Sequence, residues 1–503
     1  MNAGNELKRK SVAAVKWAAL GTVARFALQL CTQVILARML GPEVYGLFAM
    51  GLVVMTFSNF LADFGFSWGL IQNQEIDERD IRFAFTWQLL TGGLASVLLF
   101  VLAPTVAAYF REPAVAPIVR WLSLTCVLNA VTAPASSLLR RQMDFRALNI
   151  IQVASYMIGY LAVGIPCAYL GAGVWALVAA WLSQTLAALL LSLARHPHSL
   201  RPLFWYAGAR AFTQIGGTVF VTNLCNWCLN NLDRIFLGRY LNPHAVGVYN
   251  VAYNLANTPN ALFLSALQPA FLATGARLQD DMARLRDTYL SVLAVIWIVI
   301  GPMFVALALL APDLIATVYG GRWAASGPIF AILALAMPAY ITWGLSTPIL
   351  WNSGGKHLES MLQLPLLLLM VYALMTLAPQ GPVMVATIAA CALLARAVLI
   401  GTVACRRVGV GAAALAPLAW RAALLMATAA VATQAGCLAG RALGTAPALA
   451  LLCGAFSGAG VTALLALRMP RLLGVRVVQM LARFSPPLPP RLINHMNAAC
   501  NKG

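Results

Sequence analysis

Charge is the scarcest property of this chain. Only 10% of its 503 residues are charged and just 15 are acidic, whereas a soluble domain carries roughly 25% charged residues. Too few polar side chains are present to cover a globule of this size. Strict alternation of apolar and polar residues, which a membrane β-barrel needs, is absent as well. No GxxxxGK[ST] appears, so ATP is not the direct energy source, and neither GxSxG nor HExxH is found. All five histidines (His196, His198, His244, His357, His495) fall in predicted loops or the tail. Cys225 and Cys228 form a lone CxxC inside an apolar run, without the second pair or histidine that a zinc site requires. Cys31, Cys126, Cys167, Cys391 and Cys453 also sit in apolar runs, where a thiol behaves as a small hydrophobe. Asp280-Asp281, among Arg277, Arg284 and Arg286, reads as a solvated amphipathic loop rather than a metal site. The expectation is a chain that is not an enzyme and takes no cofactor and no metal.

What remains is apolar: 61% hydrophobic residues and a mean hydropathy of +0.80. Runs of about 20 apolar residues, the length that spans a bilayer, recur along nearly the whole chain. The first six predicted spans are 14–36, 44–68, 83–110, 114–138, 149–170 and 173–194. The next six are 211–237, 245–272, 288–310, 325–351, 359–378 and 382–405, and a last pair lies at 418–438 and 446–467. Turn residues mark the breaks, among them Gly41-Pro42, Asn242-Pro243, Gly320-Gly321 and Gly381-Pro382. The N-terminus is basic and then apolar with no convincing cleavage site, so it reads as the first span rather than a signal peptide.

A net charge of +19 would suggest nucleic acid in a soluble protein. In a membrane protein, basic loops on one side produce the same total, and no nucleic-acid partner is expected. With an even number of spans, 25 of the 34 lysines and arginines fall on the side of both termini, 6 on the opposite side and 3 within spans. That asymmetry places both termini in the cytoplasm.

The chain repeats itself. Arg38, Leu40, Pro42 and Gly46 recur as Arg239, Leu241, Pro243 and Gly247, at a constant offset of 201. Leu102-Ala103-Pro104 is echoed by Leu310-Ala311-Pro312. The expected fold is therefore all-α integral membrane: 14 transmembrane helices in two six-helix lobes, related by a pseudo-twofold along the membrane normal, plus two extra helices. The corresponding domains are 1–208, 209–410, 411–470, and a cytoplasmic amphipathic segment and tail at 471–503. Within that last piece, Leu472 to Phe484 puts Arg476, Gln479 and Arg483 opposite Val477, Met480, Leu481 and Phe484, the pattern of a helix lying at the membrane interface.

Ionisable residues within a membrane are costly and usually face a cavity. In span 1, Thr22, Arg25, Gln29 and Gln33 share one helical face. Shifted by 201 they become Asn223, Asn226, Asn230 and Arg234 in span 7. Span 8 adds Tyr253, Asn254 and Asn257, span 2 offers Asp63, and Arg396 in span 12 is either a further cationic wall residue or a side chain that snorkels to the interface. Isolated asparagines commonly serve as glue between helices; paired stripes with an arginine on each favour a hydrated cavity. Several arginines with few acids suit an anionic group such as a pyrophosphate, because guanidinium binds phosphate oxygens through a planar fork.

The layout of six plus six plus two spans carries Leu36-Ala37-Arg38-Met39-Leu40-Gly41-Pro42-Glu43-Val44-Tyr45-Gly46 after span 1. Asn231-Leu232-Asp233-Arg234-Ile235-Phe236-Leu237-Gly238-Arg239-Tyr240-Leu241 ends span 7, and Ser137-Leu138-Leu139-Arg140-Arg141-Gln142-Met143-Asp144-Phe145 precedes span 5. Together these resemble the polysaccharide-transporter branch of the multidrug/oligosaccharidyl-lipid/polysaccharide exporter superfamily. The resemblance implies two lobes around a central cavity that opens alternately to each side. It also implies a Wzx-like flippase of polyprenyl-pyrophosphate-linked oligosaccharide, serving surface or extracellular polysaccharide biosynthesis. Its implied partners are the lipid-linked oligosaccharide, membrane lipids and polysaccharide polymerase machinery. A cation-coupled multidrug exporter of the same superfamily is the alternative, with a membrane-embedded glycan polymerase behind it.

Overall fold

The computed structural model describes residues 25–63, 66–72, 76–199, 201–206, 209–277, 282–352, 355–444 and 446–484. Thr22, the Asp63 side chain, Asp280-Asp281 and His495 lie outside what is described. Every regular element among the described residues is a helix. In order these are α1 (25–40), α2 (Pro42–Asp63), α3 (Phe66–Gln72), α4 (Glu78–Phe110), α5 (Val115–Arg141), α6 (Phe145–Tyr169) and α7 (Val174–Arg195). Then follow α8 (Ala209–Tyr240), α9 (Pro243–Arg277), α10 (Met282–Leu309), the short α11 (Ala311–Val318), α12 (Ser326–Asn352) and α13 (Lys356–Leu377). The chain ends in α14 (Pro382–Arg407), α15 (Ala412–Leu443), α16 (Pro447–Arg468) and α17 (Pro470–Phe484). Among the described residues, ten helices are long and apolar enough to cross a membrane: α4 to α7, α10, and α12 to α16.

Local sequence explains the punctuation. Helices α2, α9, α14, α16 and α17 all begin at proline, whose fixed φ suits the first helical turn and whose missing N–H would be an orphan there anyway. Two wide π-helical stretches, Met157–Gly164 and Ile296–Ile300, interrupt α6 and α10. Each is followed within two residues by a proline, Pro166 or Pro302. A proline ring collides with the carbonyl four residues back, and a locally widened turn accommodates it.

The chain divides into two compact units, Met1–Asn250 with Leu374–Pro382, and Val251–Ala373 with Val383–Gly503. In the first, Asp144 caps α6 by accepting from the Ala147 N–H at 3.0 Å, and it pairs with Arg195 at 3.0 Å. Those partners, the Ala147 amide first, hold its carboxyl below the usual carboxylate range. The strap 201–206 lies along α4. Arg82 donates to the carbonyls of Arg201 and Pro202, the Leu203 N–H to Thr86, Trp87 to the Phe204 carbonyl, and Tyr206 to Asp80. Burial and the Asp80 carboxylate raise the Tyr206 hydroxyl pKa.

In the second unit, α15 and α16 form a close hairpin. A Cβ on Gly436 would come within 2.9 Å of Gly454 Cα, and one on Gly440 within 2.6 Å of Ala450 Cα. Such small-residue faces replace the hydrophobic drive that is missing between helices in lipid. Asp313, in α11, receives Arg441 of α15 at 2.9 Å. The first half of α17 docks on protein, while the side chains of Gln479, Met480, Leu481, Arg483 and Phe484 lie outside what is described. Leu473, Val477 and Val478 pack against Ala294, Ile298, Ala422 and Leu425, while Arg476 reaches Asp287 at 3.3 Å. Gly474, at φ 76°, kinks the helix so that this face can turn inward.

Candidate functional site

Arg25 opens the described part of α1 half-buried. Its Nη1 donates to the Gln152 side-chain carbonyl on α6, its guanidinium lies 5.0 Å from the Phe26 ring, and its buried Nε has no hydrogen-bond partner. Gln29 follows one turn later, half-buried. Gln33 lies beyond it with a buried Nε2 that also lacks a partner, while its backbone carbonyl accepts from Tyr45 at 3.2 Å. The α1 stripe thus carries buried donors that no described residue satisfies. A buried donor left unmatched is expensive, and such groups fit a site completed by water or by an oxygen-rich ligand.

On α8, Asn223, Asn226, Asn230 and Arg234 are all half-buried. Arg234 Nη1 donates to Asn231 at 3.3 Å, and Asn231 in turn donates to the Trp227 carbonyl at 2.8 Å. The Trp227 ring packs 4.7 Å from Phe57 of α2. The neighbouring Asp233 is almost fully enclosed; its carboxylate accepts from Tyr249 and from the Arg234 backbone N–H. Arg234 thus has an amide partner on its own helix, and Asp233 is tied to α9.

Tyr253 is buried on α9; the Asn254 carbonyl accepts from Thr258, and Asn257 accepts from Asn260 at 2.7 Å. Those last contacts are local to the helix.

Arg396 does not snorkel. It is 1% exposed, with its guanidinium 3.4 Å from the centre of the Trp343 ring. Nη2 donates to Gln363 at 3.1 Å, and Gln363 donates to Glu359 at 3.0 Å. Glu359, fully enclosed, also accepts from Trp351 at 2.6 Å and Thr347 at 3.2 Å. One amide therefore bridges a buried carboxylate and a buried guanidinium across α12, α13 and α14. Sequence reasoning found Arg396 and missed Glu359 and Gln363. Their spacing of four on one helical face was the available signal.

The same unit holds a cavity of about 800 Å³ between α10, α12, α14 and α15. Leu293, Phe304, Val398, Ala419 and Met426 give it an apolar wall, and Arg406 stands at its edge. Among the described residues, no cluster of three His, Cys, Asp or Glu could hold a metal ion.

Residues 35–328, more than half of the chain, match the family described as polysaccharide biosynthesis protein. The lipopolysaccharide biosynthesis protein WzxC of Escherichia coli (strain K12) is 25% identical over 332 residues, covering 62% of this chain and 64% of that protein. The succinoglycan biosynthesis transport protein ExoT of Rhizobium meliloti (strain 1021) is 27% identical over 308 residues, covering 61% and 62%. The match spans just under two thirds of either relative's length. Among solved structures, the lipid II flippase MurJ in an inward closed conformation aligns with a TM-score of 0.68 at 13% identity, over 89% of this chain and 98% of that one. An inward-facing multidrug resistance MATE family transporter of the MOP superfamily aligns at 0.59 and 15% identity, over 78% and 98%. The fold is thus the all-helical membrane fold of the MOP superfamily.

Proposed function

We propose, from the premise that the chain belongs to the polysaccharide biosynthesis protein family, that it carries a polyprenyl-pyrophosphate-linked oligosaccharide across the bacterial inner membrane by alternating access. One observation carries this reading. Two helices at repeat-equivalent positions each hold an arginine within a polar stripe, and on α1 the Arg25 Nε and the Gln33 Nε2 are buried without a partner among the described residues. A diphosphate is rich in acceptor oxygens and doubly anionic, so it satisfies such donors, while amides and Trp227 or Tyr253 suit sugar rings. The apolar cavity beside α15 is of a kind that accepts a hydrocarbon chain.

In this reading α1, α2, α8 and α9 join the ten long apolar helices to make fourteen spans. They fall into lobes at 1–208 and 209–410, a helical pair at 411–470 and a cytoplasmic segment at 471–503, with both termini inside. Arg25, Gln29, Gln33, Asn223, Asn226, Asn230 and Arg234 line the path. The released glycan passes to polymerase machinery.

The test is flipping in proteoliposomes supplied with undecaprenyl-pyrophosphate oligosaccharide on one face. Arg25→Ala and Arg234→Ala each remove charge-assisted hydrogen bonds worth about 1.5–3 kcal/mol, so transport is expected to fall by about 10- to 100-fold in each. Wild-type rates in both folded variants would discard the site. Absence of transport alongside efflux of organic cations would discard the substrate.

A further inference from the structure

The repeat motif that begins α2 and α9 interlocks with its own copy. A Cβ on Gly46 would collide with the Pro243 carbonyl oxygen and lie 3.0 Å from Pro243 Cα; one on Gly247 would collide with the Pro42 carbonyl oxygen and lie 3.1 Å from the Gly46 nitrogen. The two collisions are exchanged by the offset of 201, so the first turns of α2 and α9 meet backbone to backbone as a symmetric pair. Around them, Gly238 lies flat against the Phe110 ring, where a Cβ would come within 2.8 Å. Arg239 donates to the Tyr109 carbonyl at 2.7 Å. Leu36, Ala37, Leu237 and Val246 are buried at the same end. None of these contacts uses a carboxylate. Apart from the Arg239 hydrogen bond they rest on close van der Waals packing, which is weak contact by contact.

We propose that this Gly46–Pro243 and Gly247–Pro42 clasp is the extracytoplasmic gate of the transport path, closed in this structure and parted once in each cycle. The assignment rests on the transport reading and on both termini being cytoplasmic, which puts the α1–α2 and α8–α9 turns outside. Glycine is required because any side chain at either position would wedge the two helix starts apart. A rigid, packed contact has two discrete arrangements rather than a continuum, so the wedge biases the protein toward the state open to the outside.

The experiment uses full-length protein in intact cells, with native cysteines replaced and one reporter, Gln33→Cys, below the clasp. Gly46→Ala and Gly247→Ala are each expected to raise labelling of this reporter by a membrane-impermeant thiol reagent about tenfold, the response to a modest population shift, and, in protein that keeps Gln33, to suppress transport. Gly93→Ala, where a Cβ meets nothing within 4 Å, should leave labelling at the starting level. Unchanged labelling in both clasp variants would overturn the gate. Arg111→Cys tests the topology separately: it should label in intact cells, and labelling only after lysis would overturn the outward assignment without touching the substrate. Should the glycine variants fail to accumulate, Tyr109→Cys with Arg239→Cys keeps the question open to measurement. A reducible crosslink between them should block transport until it is cleaved, and transport that survives the crosslink would overturn the gate.

Discussion

Arg25 and Arg396 are both arginines set in apolar helices, and the two units of the molecule treat them differently. Arg396 is enclosed on every side: an aromatic face 3.4 Å away, an amide at 3.1 Å, and a carboxylate one hydrogen bond further on. Arg25 is only half-buried, with the Gln152 amide and the Phe26 ring beside it. A charge buried with its counter-ion is a structural element, since separating the two costs more than the pair contributes. A half-buried charge held by a single amide is open to a ligand. The first unit therefore offers the better place for an anion, and the second offers a fixed brace across α12, α13 and α14.

The largest expected effect tests the brace. Glu359→Ala leaves Arg396 buried without its carboxylate and should destabilise the protein by about 3–5 kcal/mol, measured by unfolding in detergent. Joint replacement by leucine, Glu359→Leu with Arg396→Leu, should recover most of that loss. A single Glu359 variant as stable as wild type would place Arg396 in the same open class as Arg25.

Trp343→Leu is the middle case. A guanidinium over a desolvated indole gains about 2 kcal/mol, so the loss should be of that size in wild type and much smaller in an Arg396→Leu background. Equal losses in the two backgrounds would mean that Trp343 acts only as packing.

How much of this contrast is legible in the sequence depends on where each residue falls. Arg25 stands out because it interrupts an apolar run, and the repeat places Arg234 on the equivalent stripe, at the position of Gln33. Glu359 follows Lys356 and His357, so hydropathy places it at a loop boundary. The helix in fact begins at Lys356, and that start carries Glu359 and Gln363 into the interior on one face. The amphipathic pattern of α17 is equally readable, but a periodic apolar face is the same whether it meets lipid or protein. For Leu473, Val477 and Val478 the docking against Ala294 and Leu425 supplies the partner. The repeat glycines Gly46 and Gly247 are visible as a motif, whereas their mutual contact is a property of three dimensions.

The smallest effect sharpens the Arg25 side of the comparison. Gln152→Leu removes a single part-buried hydrogen bond, so stability should fall by only about 1 kcal/mol. The transport readout is more informative than the stability. If Gln152 merely satisfies Arg25, its loss frees the guanidinium for the substrate and the transport rate at saturating substrate should hold or rise. If Gln152 orients Arg25 toward the diphosphate, the substrate concentration for half-maximal transport should rise while the saturating rate stays near wild type. A collapse of transport as deep as in Arg25→Ala would contradict both, and would mean that the Arg25–Gln152 pair braces α1 against α6 much as Gln363 braces Arg396.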